Sequence, residues 1–195
     1  TKALEKRSMK PKSILVVTII SFFMMYAGNI LGTVINMLLQ SISGVSAANP
    51  IMNYAMDGSL LAKVLFMVIL APVIEEYIFR KQLIDRMHIY GGKLAVITSA
   101  LMFGLFHGNL AQMFYAFTLG LVFGYVYLKT GKLRYSIGLH MLINCIGSVI
   151  APMFLEKVAV LETMEVMDMA ALEPILPWLV AFGVYVVLLL GLAIA

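Results

Sequence analysis

The apolar run from Ser13 to about Leu39 constrains the fold more than any other feature, because it can cross a bilayer with some tilt. Inside a bilayer every backbone N–H and C=O must be satisfied within the chain, so such a run is a helix. It is far longer than the roughly 7–15 apolar residues of a signal peptide and lacks a convincing cleavage pattern, so it reads as a permanent span. Composition agrees with that reading. The 195 residues are 62% hydrophobic and 12% charged, against about 25% charged in soluble domains. An integral membrane protein follows, and a nucleic-acid-binding protein does not: the net charge of +4 comes from basic residues beside apolar spans, where they set topology. The chain opens on Thr1 and stops inside an apolar run at Ala195, so a segment of a longer protein is expected and the span count is a minimum.

Taken in order, the sequence predicts an all-α, polytopic transmembrane helix bundle of about six spans, forming a single domain over residues 1–195. A basic lead, residues 1–12, precedes the first span, whose Gly28 and Gly32 make a small-residue face for close helix approach. A polar connection from Gln40 to Gly58 leads to a second span that starts near Ser59 and runs into Glu75 and Glu76. Pro72 is positioned to kink that helix and free backbone carbonyls near the glutamates. Residues Lys81 to Tyr90 continue as an amphipathic extension to a turn at Gly91-Gly92. The third span, about Lys93 to Gly108, carries Ala100, Gly104 and Gly108; the fourth, about Leu110 to Leu128, carries Gly120 and Gly124. The fifth runs from about Tyr135 to Met153. An acidic stretch over 155–173 could lie on the surface as an amphipathic helix, and the sixth span is Pro174 to Ala195, with Trp178 as an interface anchor. Twelve of the fourteen Lys and Arg residues fall on one side of this arrangement, which puts both ends in the cytoplasm of a multi-pass cell-membrane protein.

Two adjacent carboxylates in an apolar run need an explanation, since a charge at bilayer depth costs roughly 2.5–3.5 kcal/mol on insertion scales. The spans also hold His107, His140 and Asn144, whereas His88 lies in the amphipathic extension and is expected to be solvated. Glu75 lies sixteen residues before Gly91 and His107 sixteen after it, so an antiparallel hairpin brings them to equal depth. His140 and Asn144 are four residues apart and share a helix face in the half of their span near the basic turn 129–134. All of these groups can therefore converge on one cytoplasm-facing cavity. Glu76 and Arg80 stand at i,i+4 in the favourable order for an ion pair. That leaves Glu75, on a different face, free to meet the histidines as a general base. Each feature also has a plainer reading: a lone membrane histidine or Phe103 packs the bundle, Arg80 anchors topology, Cys145 and the methionines fill apolar space.

At these residues the chain resembles a family. Glu75-Glu76-x-x-x-Arg80, Phe103-x-x-x-His107 and His140-x-x-x-Asn144 reproduce in order the three motifs of the CPBP family. This is the CAAX-protease and bacteriocin-processing (Abi) group of intramembrane glutamic endopeptidases, related to the Ras-converting prenyl endopeptidase. The resemblance covers the core of the chain, about residues 60–155. It implies a protease in which Glu75 and His107 activate water, His140 and Asn144 hydrogen-bond the oxyanion, Glu76 and Arg80 support the site, and Phe103 packs beside it. It also implies metal-independent catalysis with no cofactor. Zinc is the lesser reading: Glu75, His107 and His140 are zinc-type ligands, but HExxH is absent. The expected substrate is a hydrophobic or lipid-anchored peptide entering from the bilayer; oligomeric state is not legible. Two other classes fit the apolar frame, a non-catalytic immunity or scaffold protein and a proton-coupled transporter fragment.

Overall fold

The computed structural model describes residues 3–44 and 59–162, with isolated positions at 173, 176–177 and 180. Apart from those isolated positions, the sixth predicted span with Trp178, most of the 40–58 connection and the acidic stretch beyond Glu162 lie outside the described residues.

Within them the chain is helical. Helix α1 is Pro11–Ser43. Helix α2 runs without a break over 60–90, α3 is Gly92–Phe106, α4 is Leu110–Thr130, and α5 runs over 133–162. Three described helices are long and apolar enough to cross a membrane: Pro11–Ser43, Gln112–Thr130 and Leu133–Glu156. Helix α3, predicted as a span, is apolar but only 15 residues long. The outward face of α1 leaves Phe23, Ile30 and Ile42 at 65%, 66% and 82% exposure, which suits contact with lipid rather than water.

Small residues bring the helices together. A Cβ on Gly28 would sit 2.5 Å from the Cα of Tyr115, so α1 and α4 touch backbone to backbone here, and Thr118 Oγ1 donates to the Met24 carbonyl at 2.8 Å. Across α3 and α4, Gly120 faces Ala100 and Gly104 faces the Met113 carbonyl, so the two predicted stripes meet each other. Phe22, Leu119, Phe123, Leu139 and Ile143 then bury the junction of α1, α4 and α5. A second cluster of Ile84, Ala95, Val96 and Tyr127 joins α2, α3 and α4.

Helix α2 is not a uniform α-helix. Two stretches in the wider i→i+5 register, Lys63–Leu70 and Tyr77–Ile84, bracket an α-helical piece, Ala71–Glu76. The first ends where Pro72 interrupts it. Ala71 N–H donates to the Phe66 carbonyl, five residues back, and the next bond of that register would run from residue 72 to Met67. Proline has no N–H to make it. The Met67 carbonyl is instead taken by the Asn144 side chain of α5, whose Nδ2 donates to it at 2.8 Å. The expected freeing of a carbonyl by Pro72 is thus visible, and so is the group that satisfies it.

A cavity between α2, α3, α4 and α5

Glu75, His107, His140 and Asn144 line one cavity of about 410 Å³. They come from α2, the end of α3 and α5, and α4 contributes Gln112 and Tyr115 to the same walls. Phe103 lines it as well, whereas Glu76 and Arg80 stand behind it, fully buried.

The buried layer orients the lining. Arg80 Nε lies 3.0 Å from Glu76 Oε2. The approach is oblique, a contact of charges more than an aligned hydrogen bond. Arg80 Nη1 donates to Ser99 Oγ at 3.0 Å, and Ser99 in turn donates to the Phe79 carbonyl at 2.7 Å. The guanidinium stacks over the Phe103 ring, 4.7 Å from its centroid. The other carboxylate oxygen of Glu76 accepts from His140 Nδ1 at 3.1 Å. Glu76 is therefore held from both sides, by a cation on its own helix and by an imidazole from α5.

Those contacts determine what each histidine presents. With Nδ1–H committed to Glu76, the Nε2 of His140 turns to the cavity, 3.7 Å from Glu75 Oε2. That separation exceeds a hydrogen bond and leaves room for a water or a substrate oxygen to bridge the two. His107 is fixed differently. Its Nδ1 lies 2.8 Å from the Phe103 carbonyl, which can only accept, so Nδ1 carries the proton and Nε2 offers its lone pair. Phe103 meets both histidines edge-on, with ring centroids 4.9 Å from His107 and 5.5 Å from His140. One aromatic ring thus sets the spacing of both imidazoles and of Arg80. Asn144 spends one N–H on Met67; because that partner is a carbonyl, the amide nitrogen must face it, and one N–H remains.

The structure brings together all seven residues singled out from the sequence, four on the cavity wall with Phe103, two behind it. It adds Tyr115 and Gln112. Tyr115 faces His107 at a ring separation of 6.4 Å. Gln112 is 4% exposed and is held by Asn109, which caps α4: Asn109 Oδ1 accepts from Gln112 N at 2.9 Å, and Asn109 Nδ2 donates to Gln112 Oε1 at 2.5 Å. Asn109-x-x-Gln112 is a legible helix-start signal, but its amide reads as a cap and gives no sign of the cavity.

Such an arrangement offers a partly exposed carboxylate, an imidazole lone pair and amide N–H donors around one volume, the parts needed to deprotonate a water and hold an oxyanion. No curated protein and no solved structure matches the chain. Residues 57–146 match the family described as Rce1-like, type II CAAX prenyl endopeptidase Rce1-like. The matched segment runs from the start of α2 past Asn144 and contains every motif residue from Glu75 onward, so through this segment the chain is similar to the type II CAAX prenyl endopeptidases.

Proposed function

We propose that this chain is an intramembrane endopeptidase that hydrolyses a peptide bond in a hydrophobic or lipid-anchored peptide with water activated by Glu75 and His107. The single observation that carries the reading is the convergence of Glu75, His107, His140 and Asn144 on one cavity of about 410 Å³. A water between Glu75 and the Nε2 of His107 loses a proton as its oxygen attacks the carbonyl carbon. The resulting oxyanion is met by the free N–H of Asn144 and, in its imidazolium form, by the Nε2 of His140. Collapse of the intermediate breaks the C–N bond, and the proton gained from water passes to the leaving amine. Glu76 and Arg80 hold His140 in place, and Phe103 spaces the rings. The proposed chemistry uses no metal ion, as the resemblance implies.

The topology that goes with this function has about six spans, a cytoplasmic N-terminus and a cavity open toward the cytoplasmic face of the cell membrane. The asymmetry of Lys and Arg supports it. Substrate enters laterally from the bilayer. Purified wild type and Glu75→Ala, assayed on a library of hydrophobic peptides with excess chelator, test the reading. Cleavage by the wild type alone is the expected result. Activity that chelator abolishes and zinc restores would replace it with a metal mechanism, and equal cleavage by both proteins would remove Glu75 from the chemistry.

A further inference from the structure

A second cavity, of about 500 Å³, lies away from the catalytic residues and is strongly basic: Lys6, Lys81, Lys132 and Arg134 line it together with Tyr77 and Tyr127. Three separate parts of the chain build it. The N-terminal lead folds onto the α4–α5 turn, where Arg7 N–H donates to the Thr130 carbonyl at 2.8 Å, Met9 N–H to the Tyr135 hydroxyl at 3.1 Å and Lys132 Nζ to Ser8 Oγ at 2.7 Å. The turn itself requires Gly131: its φ is 59°, and a Cβ there would sit 2.7 Å from the Glu5 carbonyl oxygen. Helix α2 supplies Tyr77 and Lys81.

The nearby acids offset only part of the charge of this cavity. Both oxygens of Asp85 are occupied, one by Lys81 at 2.5 Å and one by the Tyr127 hydroxyl at 2.8 Å. Glu5 is paired with Arg7 at 2.6 Å. Lys6 has no ion-pair partner among the described residues. Moreover, α5 begins here with no side-chain cap and no acid in its first turn, so the positive end of its dipole adds to the same field. With Lys81 paired to Asp85, the three cations left without an acid partner among the described residues, Lys6, Lys132 and Arg134, gather around a helix N-terminus and repel one another, and an anion relieves that repulsion.

We infer that this cavity binds the phosphate of an anionic lipid headgroup and thereby clips the N-terminal lead to the α4–α5 turn. A phosphate supplies the charge and several acceptor oxygens at once. The source is lipid because the cavity opens at the end of two apolar helices. On α2, Val73 and Tyr77 lie two turns and one turn before Lys81, are 39% and 50% exposed, and offer an apolar track for acyl chains.

The test uses the full chain in zwitterionic detergent, titrated with dihexanoyl phosphatidylglycerol and followed by native mass spectrometry and by Tm. Dihexanoyl phosphatidylcholine and glycerol phosphate are the comparison ligands. We expect one phosphatidylglycerol per chain, a rise in Tm, and binding weakened roughly tenfold or more in Lys6→Gln/Lys132→Gln, since each basic group near an anionic lipid surface is worth about a fivefold change. Lys10→Gln/Lys12→Gln removes the same charge outside the cavity and should bind as the wild type does. Equal loss in both doubles, or no loss in the first, would overturn the site. Competition by glycerol phosphate at equal concentration would assign it to a soluble phosphate and overturn the lipid. If Lys6→Gln/Lys132→Gln is unstable without ligand, Lys6→Gln alone, which breaks no ion pair, carries the same comparison.

Discussion

Removing Arg80 should reveal how much of the site rests on one buried charge. Arg80 and Glu76 are both fully buried, 3.0 Å apart. In Arg80→Met the stem volume is kept, but three interactions go: the ion pair, the charged hydrogen bond to Ser99 at 3.0 Å, and the stacking over Phe103 at 4.7 Å. Breaking one side of a buried pair costs about 3–5 kcal/mol, because the surviving carboxylate is left desolvated without its counter-charge. At about 1.4 kcal/mol per factor of ten, that is a 10²- to 10⁴-fold shift of the unfolding equilibrium. Unfolding in mixed micelles with increasing SDS would measure it. The double variant Glu76→Gln/Arg80→Met removes both charges and keeps an acceptor for His140 Nδ1, so it should be more stable than Arg80→Met by at least about 1 kcal/mol. Neither variant should cleave peptide, since each alters the support of His140. If Arg80→Met stays within about 1 kcal/mol of the wild type, or if the two substitutions simply add, the pair does not organise the site as argued.

Two further outcomes follow from the same geometry. Asn144→Leu strands the Met67 carbonyl and should cost about 1–3 kcal/mol as well as cleavage; adding Pro72→Ala returns an N–H to that carbonyl and should restore stability, read in the same SDS titration, but not activity. Gly28→Ala forces a Cβ to 2.5 Å from the Tyr115 Cα, so α1 must withdraw from α4; a loss of about 1–3 kcal/mol in that titration is expected, together with reduced cleavage because Tyr115 lines the cavity. Gly147→Ala, with nothing within 4 Å of its Cβ, serves as the silent control.

Much of the site could be read from residue spacing alone. Equal distances from Gly91 bring Glu75 and His107 to one level, the i,i+4 rule pairs Glu76 with Arg80 and aligns His140 with Asn144, and the glycine stripes mark where helices touch. What escaped depends on contacts between distant segments. Nothing local to Tyr115 separates it from ordinary packing aromatics; its place on the cavity wall follows from how α4 packs against its neighbours, including α1 at Gly28. The basic cavity needs the lead to fold back over Gly131, and the lead reads as a topology signal whether or not it does so. The shortness of α3 arises from Gly108 and the Asn109 cap, which end the helix before the apolar run is exhausted. The wide-register turns of α2 leave no trace in sequence beyond Pro72, because an apolar run looks the same at either pitch.

Those turns act as phase adjusters. Successive residues of an α-helix are rotated by about 100°, so the direction in which Glu75 points depends on every residue between it and the helix ends. A wide turn on each side of Ala71–Glu76 takes up the mismatch between the packing of Lys63–Leu70 against α5 and that of Tyr77–Ile84 against α3. Deleting one residue from Lys63–Leu70 could therefore be absorbed by tightening that turn to ordinary pitch, leaving the glutamates aimed as before. Deleting one inside Ala71–Glu76 could not, and would swing the carboxylates away from the imidazoles. The helix can tolerate length changes beside the cavity while the bearing of Glu75 and Glu76 stays fixed.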